Sequence, residues 1–148
     1  MATDDEVVQF IQRQRVVRLA TVDGRRRPHI VPIVFVYEAG RLYTPLDLKP
    51  KTAPPHGLRR VRNIAANPHV QVLIDHYDEA WQRLAYVQLR GLAELIDEGE
   101  EYQRAVRLLE RKYVQYRALP LTGRPVIKVS VERIVSWGSF GRSADEEA

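Results

Sequence analysis

Residues 43–63 hold the side chains best suited to bind an anion. Prolines keep the middle of this stretch extended and out of a helix. The chain contains 23 Lys and Arg in total but only four lysines, and two of those four flank Pro50. The basic residues of interest here are Lys49, Lys51, Arg59 and Arg62. Because a lysine ammonium is a compact, mobile charge that suits a phosphate, the stretch is either an anion-binding loop or a solvated basic loop.

A second cluster of polar side chains lies at residues 75–79, with the sequence Asp-His-Tyr-Asp-Glu. Alternation along a strand would place His76 and Asp78 on one face. A metal site there would need two further ligands, such as His56 or His69, and no spacing supports that. We therefore expect a hydrogen-bonded turn and no metal.

Motifs for self-contained catalysis are absent from the sequence, so no catalytic side chain is assigned. Reactivity would then come from a bound cofactor that the protein holds and orients. A planar cofactor with a phosphate fits the residues present, because an apolar strand interrupted by Pro32 could face its ring. Trp81 or Trp137 could stack on that ring or simply pack in the core. His29 could face the ligand, although covering the core is the more ordinary role.

Composition sets bounds on the class of protein. The 148 residues suffice for one domain with a core, and we expect a single domain over residues 1–148. The chain has no cysteine and a net charge of +4. The basic run at residues 25–27 follows a hairpin turn without interleaved aromatic residues, so we expect solvated charge and no nucleic-acid partner. The acidic N-terminus and the short apolar runs predict a cytoplasmic protein without a membrane span.

Hairpin signals separate most of the predicted strands, which gives about six strands and a few helices. The long strand 83–96 should bulge or bend at Gly91. Residues 28–37 are nearly all apolar and should form one strand that is buried on both faces. The helix 58–66 should turn Val61, Ile64 and Ala65 inward. The pattern predicts a mainly β (α+β) fold, an antiparallel barrel with peripheral helices.

The sequence resembles the split β-barrels of the pyridoxamine 5'-phosphate oxidase-like, FMN-binding family. The opening part of the resemblance is Arg18-Leu-Ala-Thr-Val-Asp-Gly24, followed by Arg27-Pro-His-Ile-Val-Pro-Ile33 and Leu42-Tyr-Thr44. More specific are Lys49-Pro-Lys51, Leu58-Arg-Arg-Val-Arg-Asn-Ile64, Asn67-Pro68, Asp75-His-Tyr-Asp-Glu-Ala-Trp81 and Arg90-Gly-Leu-Ala93. In combination these segments resemble the branch of coenzyme F420-dependent oxidoreductases. The resemblance covers about residues 5–137.

The resemblance implies a six-stranded split barrel that forms a homodimer, with the cofactor at the subunit interface. It implies F420, or FMN as the alternative, and a hydride transfer to or from an unsaturated small molecule. A non-catalytic module that carries a cofactor or haem is the remaining alternative. The implied cofactor-binding residues are Pro32, Ile33, Val34, Thr44, Lys49, Pro50, Lys51, Arg59, Arg62 and Asn63, with Trp81 and Arg83 supplied by the partner subunit.

Overall fold

The structure is a computed structural model that describes residues 4–46 and 58–141. Its seven strands are β1 (Val17–Val22), β2 (Pro28–Ile33), β3 (Val36–Glu38), β4 (Arg41–Pro45), β5 (His69–His76), β6 (Ala85–Ile96) and β7 (Val126–Gly138). Its helices are α1 (Asp4–Arg13), α2 (Arg59–Ala66) and α3 (Glu100–Lys112), with short 3-10 turns at Trp81–Arg83 and Val114–Arg117.

All seven strands form one antiparallel sheet in the order β2-β1-β5-β6-β7-β4-β3. The two edge strands, β2 and β3, are consecutive in the chain and are separated by Val34 and Phe35 alone. Three peptide steps span at most about 10 Å, so the opposite edges of the sheet must come together at this point. The sheet is therefore curled into a barrel whose seam is this two-residue crossing, which confirms the predicted split-barrel fold.

The predicted bulge in the long strand is confirmed. The register between β6 and β7 shifts between Arg90 and Gly91, which leaves Glu132 as the extra residue on β7. A Cβ atom on Gly91 would lie 2.4 Å from the Ser130 carbonyl oxygen, so a side chain does not fit there. The close approach of the two backbones explains why this position holds glycine.

The helices cover different parts of the barrel. Buried residues of α1 and α2 pack with the interior core, which is formed by the inward faces of the strands. Helix α3 packs on the outside, where Val36 and Tyr43 lie directly opposite each other on β3 and β4 and join a second core with Tyr102 and Leu109. The outer faces of β2, β1, β5 and most of β6 are not covered by any described helix.

The prediction of one strand over 28–37, buried on both faces, is wrong. The chain leaves the sheet at Val34 and re-enters it as β3 at the opposite edge, which makes seven strands of the expected six. Strand β2 alternates in burial, and Ile30 on its outer face is 61% exposed. The physical reason is position: an apolar strand at the sheet edge has no helix or strand over its outer face within the described residues.

No helix in the described ranges is long and apolar enough to cross a membrane.

Candidate functional site

A cavity of about 220 Å³ lies beside the barrel seam. Its lining residues are Val16, Pro32, Ile33, Val34, Thr44, Pro45 and Arg60. Four of these, Pro32, Ile33, Val34 and Thr44, are residues that the sequence resemblance assigned to the cofactor ring. The structure thus brings together residues from two parts of the chain that the sequence could associate only by resemblance.

The edge strand β2 and its exit provide one wall of the cavity. Pro32 lies opposite Arg18 of β1 with its ring on the outer face, and Ile33 is 6% exposed with its side chain toward the interior. Pro32 has no N–H, which is tolerated because β2 is an edge strand. No described strand pairs with the other side of β2, so its backbone groups on that side are available to a ligand. This wall is therefore apolar in its side chains and polar along its backbone.

Strand β4 provides the facing wall. Thr44 lies opposite Ile127 of β7 and is 1% exposed, and Pro45 ends the strand opposite Val126. Residues 47–57 follow directly and lie outside the described residues. The predicted anion-binding residues Lys49, Pro50 and Lys51 belong to that range, and their assignment stays a prediction.

Helix α2 begins next to the cavity, and Arg60 in its first turn lines it. The helix has no acidic residue in its first turn, and its N-cap residue Leu58 makes no capping hydrogen bond through its side chain. The first backbone N–H groups of a helix carry partial positive charge and attract anions. This end of the cavity therefore carries an arginine and a helix start without acidic residues.

The other predicted residues of α2 are placed differently. Arg59 and Arg62 are exposed and do not line the cavity. Asn63 is 4% exposed, and its Nδ2 donates a hydrogen bond to Thr21 Oγ1 over 2.9 Å. The helix turns Val61, Asn63 and Ile64 inward, whereas Ala65 is exposed, so the prediction for Ala65 is wrong. A buried asparagine is tolerated here because a threonine on β1 satisfies its amide.

Sequence reasoning missed Val16, Pro45 and Arg60 as lining residues. A signal for Arg60 was present, since it precedes the inward Ile64 by four residues and shares that face of the helix. The position of Val16 could not be predicted from spacing, because it depends on how the chain between the end of α1 and the start of β1 is placed.

Trp81 and Arg83 lie on the short 3-10 turn before β6, and neither lines the cavity of its own chain. Trp81 is 70% exposed. Asp78 organises this turn: its Oδ1 accepts a hydrogen bond from the Ala80 N–H over 2.8 Å, and its Oδ2 lies 4.0 Å from an Arg83 guanidinium nitrogen. His76 Nε2 lies 3.8 Å from the same carboxylate. The cluster at residues 75–79 thus leads into a hydrogen-bonded turn, and Trp81 after it is exposed to solvent.

The match to a family model agrees with the fold. A model described as pyridoxamine 5'-phosphate oxidase matches residues 3–138. No curated protein sequence matches the chain.

Solved structures share the architecture over most of their length. A candidate pyridoxamine 5'-phosphate oxidase from Listeria innocua is 27% identical, with a TM-score of 0.66 over 91% of this chain and 98% of that one. A FAD-binding protein from Mesorhizobium loti is 18% identical, with a TM-score of 0.70 over 91% and 92%. HutZ, a haem storage protein from Vibrio cholerae, is 17% identical, with a TM-score of 0.71 over 93% and 95%. Proteins with this fold therefore include binders of two different kinds of cofactor.

Proposed function

The chain belongs to the pyridoxamine 5'-phosphate oxidase family, and from that premise we propose that it binds a flavin-type cofactor in the cavity beside the seam and acts as an oxidoreductase. The observation that carries the proposal is the composition of that cavity. It combines an apolar wall at Pro32 and Ile33, a threonine on β4 and an arginine at a helix start. A planar ring system with an anionic group can use all three features.

Each part of the cavity has a role in holding such a cofactor. The apolar wall packs against the ring, and the free side of β2 offers backbone donors and acceptors to its polar edge. Arg60 and the first N–H groups of α2 attract the phosphate, together with Lys49 and Lys51, which the resemblance assigns to it. Thr44 adds one hydroxyl that can donate or accept a hydrogen bond.

A bound deazaflavin or flavin supplies a ring that accepts or donates a hydride. The protein contributes orientation of that ring, exclusion of water on the side of the apolar wall, and hydrogen bonds from the strand edge. We propose F420 as the cofactor and FMN as its alternative, and an unsaturated small molecule as the partner in hydride transfer. The choice of F420 rests on the resemblance of the Lys49-Pro-Lys51 and Asp75–Trp81 segments to that branch.

We propose that the working unit is a homodimer. The cavity of about 220 Å³ is smaller than the 300 to 1,000 Å³ of typical ligand pockets, so the described residues of one chain would enclose only part of a cofactor. The outer sheet face next to Pro32 carries Ile30, which is exposed in the single chain. A second copy on this face would cover that apolar surface and bring Trp81 and Arg83 toward the partner's cavity.

An absorbance titration of the purified protein with F420, FMN and haemin tests the proposal. We expect saturable binding of F420, or of FMN, with a shift of the cofactor's visible band and one equivalent per chain. A Soret band with haemin and no binding of F420 or FMN would instead place this chain with the haem-binding members of the fold. Binding of FMN without F420 would keep the site and change the cofactor.

A further inference from the structure

Tyr113, just after α3, bonds through its hydroxyl to two backbone segments that are distant from it in the chain. Its hydroxyl accepts a hydrogen bond from the Phe35 N–H over 3.1 Å. The same hydroxyl lies 2.8 Å from the Arg15 carbonyl oxygen and 3.1 Å from the Phe35 carbonyl oxygen. Since a hydroxyl has one proton, it donates to one carbonyl at a time, and the shorter distance favours Arg15.

These contacts join the two backbone segments that flank the cavity. Phe35 directly follows Val34, and Arg15 directly precedes Val16, and both Val34 and Val16 line the cavity. Phe35 also belongs to the two-residue crossing that closes the barrel, where no ladder hydrogen bonds hold the chain. The hydroxyl of Tyr113 thus links the backbone next to Val16 to the backbone next to Val34, on two sides of the cavity.

The Tyr113 ring is itself held in place by cations. The Arg15 guanidinium lies 4.6 Å from the ring centroid, and its NH2 group donates to the Lys112 carbonyl over 2.9 Å. The Lys112 ammonium lies 3.9 Å from the centroid of Phe35. Cations over aromatic faces stabilise this packing, so the hydroxyl has little freedom to move away from the seam.

We propose that Tyr113 is a positioning residue for the cofactor: its hydroxyl sets the place of the backbone at residues 33–35 against which the ring packs. This inference rests on the proposed function. It adds a residue at the end of α3, 78 residues along the chain from Phe35, to the determinants of the site.

Tyr102 provides a matched control. It is buried in the first turn of α3, and its hydroxyl also bonds to backbone carbonyls, those of Leu121 and Arg124, at 3.2 and 2.7 Å. Neither Leu121 nor Arg124 lines the cavity. Tyr113→Phe and Tyr102→Phe therefore each remove a buried hydroxyl that is bonded to the backbone. Only the Tyr113 hydroxyl is bonded to backbone next to residues that line the cavity.

The experiment measures affinity, the visible circular dichroism of the bound cofactor, and melting temperature in the three proteins, using whichever of F420 and FMN the wild type binds. We expect Tyr113→Phe to weaken binding about fivefold to tenfold and to change the dichroism of the bound ring. Tyr102→Phe should leave both at the wild-type values even where it lowers the melting temperature as much. Amide hydrogen exchange without cofactor should be faster at Phe35 in Tyr113→Phe alone.

Two results would overturn the inference, and they are distinguishable. If the wild type binds a cofactor but Tyr113→Phe matches Tyr102→Phe in affinity and dichroism, Tyr113 has no positioning role, although the proposed function stands. If the wild type binds neither F420 nor FMN, the proposed function fails and there is no ring for Tyr113 to position.

Discussion

At the scale of single residues, Lys112 is a charge that the fold buries at a cost. Its Nζ atom is buried and has no hydrogen-bond partner among the described residues. Burial, together with the nearby Arg15 charge, lowers the pKa of Lys112 from 10.5 to about 8. The faces of Phe35 and Tyr113 offset part of this cost, because they attract the ammonium.

Replacing Lys112 with methionine should stabilise the protein at neutral pH. Because the folded-state pKa is below the unfolded one, the unfolded chain binds more protons between about pH 8 and 10.5, and wild-type stability rises with pH through that window. The advantage of Lys112→Met should therefore be full below pH 8 and shrink as the pH rises toward 10.5. Melting temperatures of both proteins across this range measure it. A difference that does not change with pH would show that Lys112 is not a buried cation.

Lys51 should contribute to cofactor affinity and not to stability. A charge-assisted hydrogen bond to a phosphate is worth about 1.5 to 3 kcal/mol, so Lys51→Ala should weaken F420 or FMN binding roughly tenfold to a hundredfold. Arg25→Ala, an exposed arginine on the β1–β2 hairpin, serves as the control. Fluorescence titration with melting curves measures both effects. Equal affinities in the three proteins would contradict a role for Lys51 in cofactor binding.

Part of the site was accessible from the sequence through its resemblance to a family. Pro32, Ile33, Val34 and Thr44 follow from the resemblance, and the structure gathers them in one cavity. The helical spacing of Tyr102, Ala105, Leu109 and Tyr113 predicts that Tyr113 is buried, but spacing cannot report what its hydroxyl bonds to. Asn63 was assigned to the phosphate by its neighbours in sequence, whereas the phase of α2 turns it to Thr21.

At the scale of elements, the bulge at Gly91 should be essential. Gly91→Ala places a Cβ atom 2.4 Å from the Ser130 carbonyl oxygen, which is part of the β7 backbone and cannot rotate away. We expect a loss of about 2 kcal/mol or more in the free energy of unfolding.

The matched control for the bulge is Gly24→Ala. No atom lies within 4 Å of the added Cβ at Gly24. Urea titrations of both variants and the wild type measure the difference. If Gly91→Ala were as stable as Gly24→Ala, the close approach of the β6 and β7 backbones at Gly91 would be contradicted.

The bulge at Gly91 was predictable from the sequence, whereas the seam at Val34 and Phe35 was not. Gly91 is a glycine inside a long strand pattern whose inward and outward residues otherwise alternate clearly, and a glycine there marks a bulge or bend from the sequence alone. Residues 28–37 are nearly all apolar, and periodicity cannot report where such a run leaves one edge of a sheet for the other. The change of edge at Val34 and Phe35 depends on the curvature of the whole sheet.

At the scale of the whole molecule, the uncovered outer face predicts self-association. Ile30→Lys should weaken dimerisation by at least about tenfold, because it would place a charge within the proposed contact between the two copies. Leu119→Lys is the control, since Leu119 is 60% exposed but lies in the loop after α3. Sedimentation equilibrium of the wild type and both variants measures the effect. A wild type that is monomeric at micromolar concentration would contradict both the dimer and the shared site.

The most direct test of the cofactor site is to block the cavity beside the seam. Val16 lines it and is 43% exposed, so Val16→Trp should fill space without disturbing the core. Val114, which is 60% exposed and does not line the cavity, gives the control Val114→Trp. Titration with F420 and with FMN should show wild-type affinity for Val114→Trp and at least about tenfold weaker binding for Val16→Trp, at similar melting temperatures. Wild-type affinity in Val16→Trp would contradict the assignment of this cavity as the place where the cofactor binds.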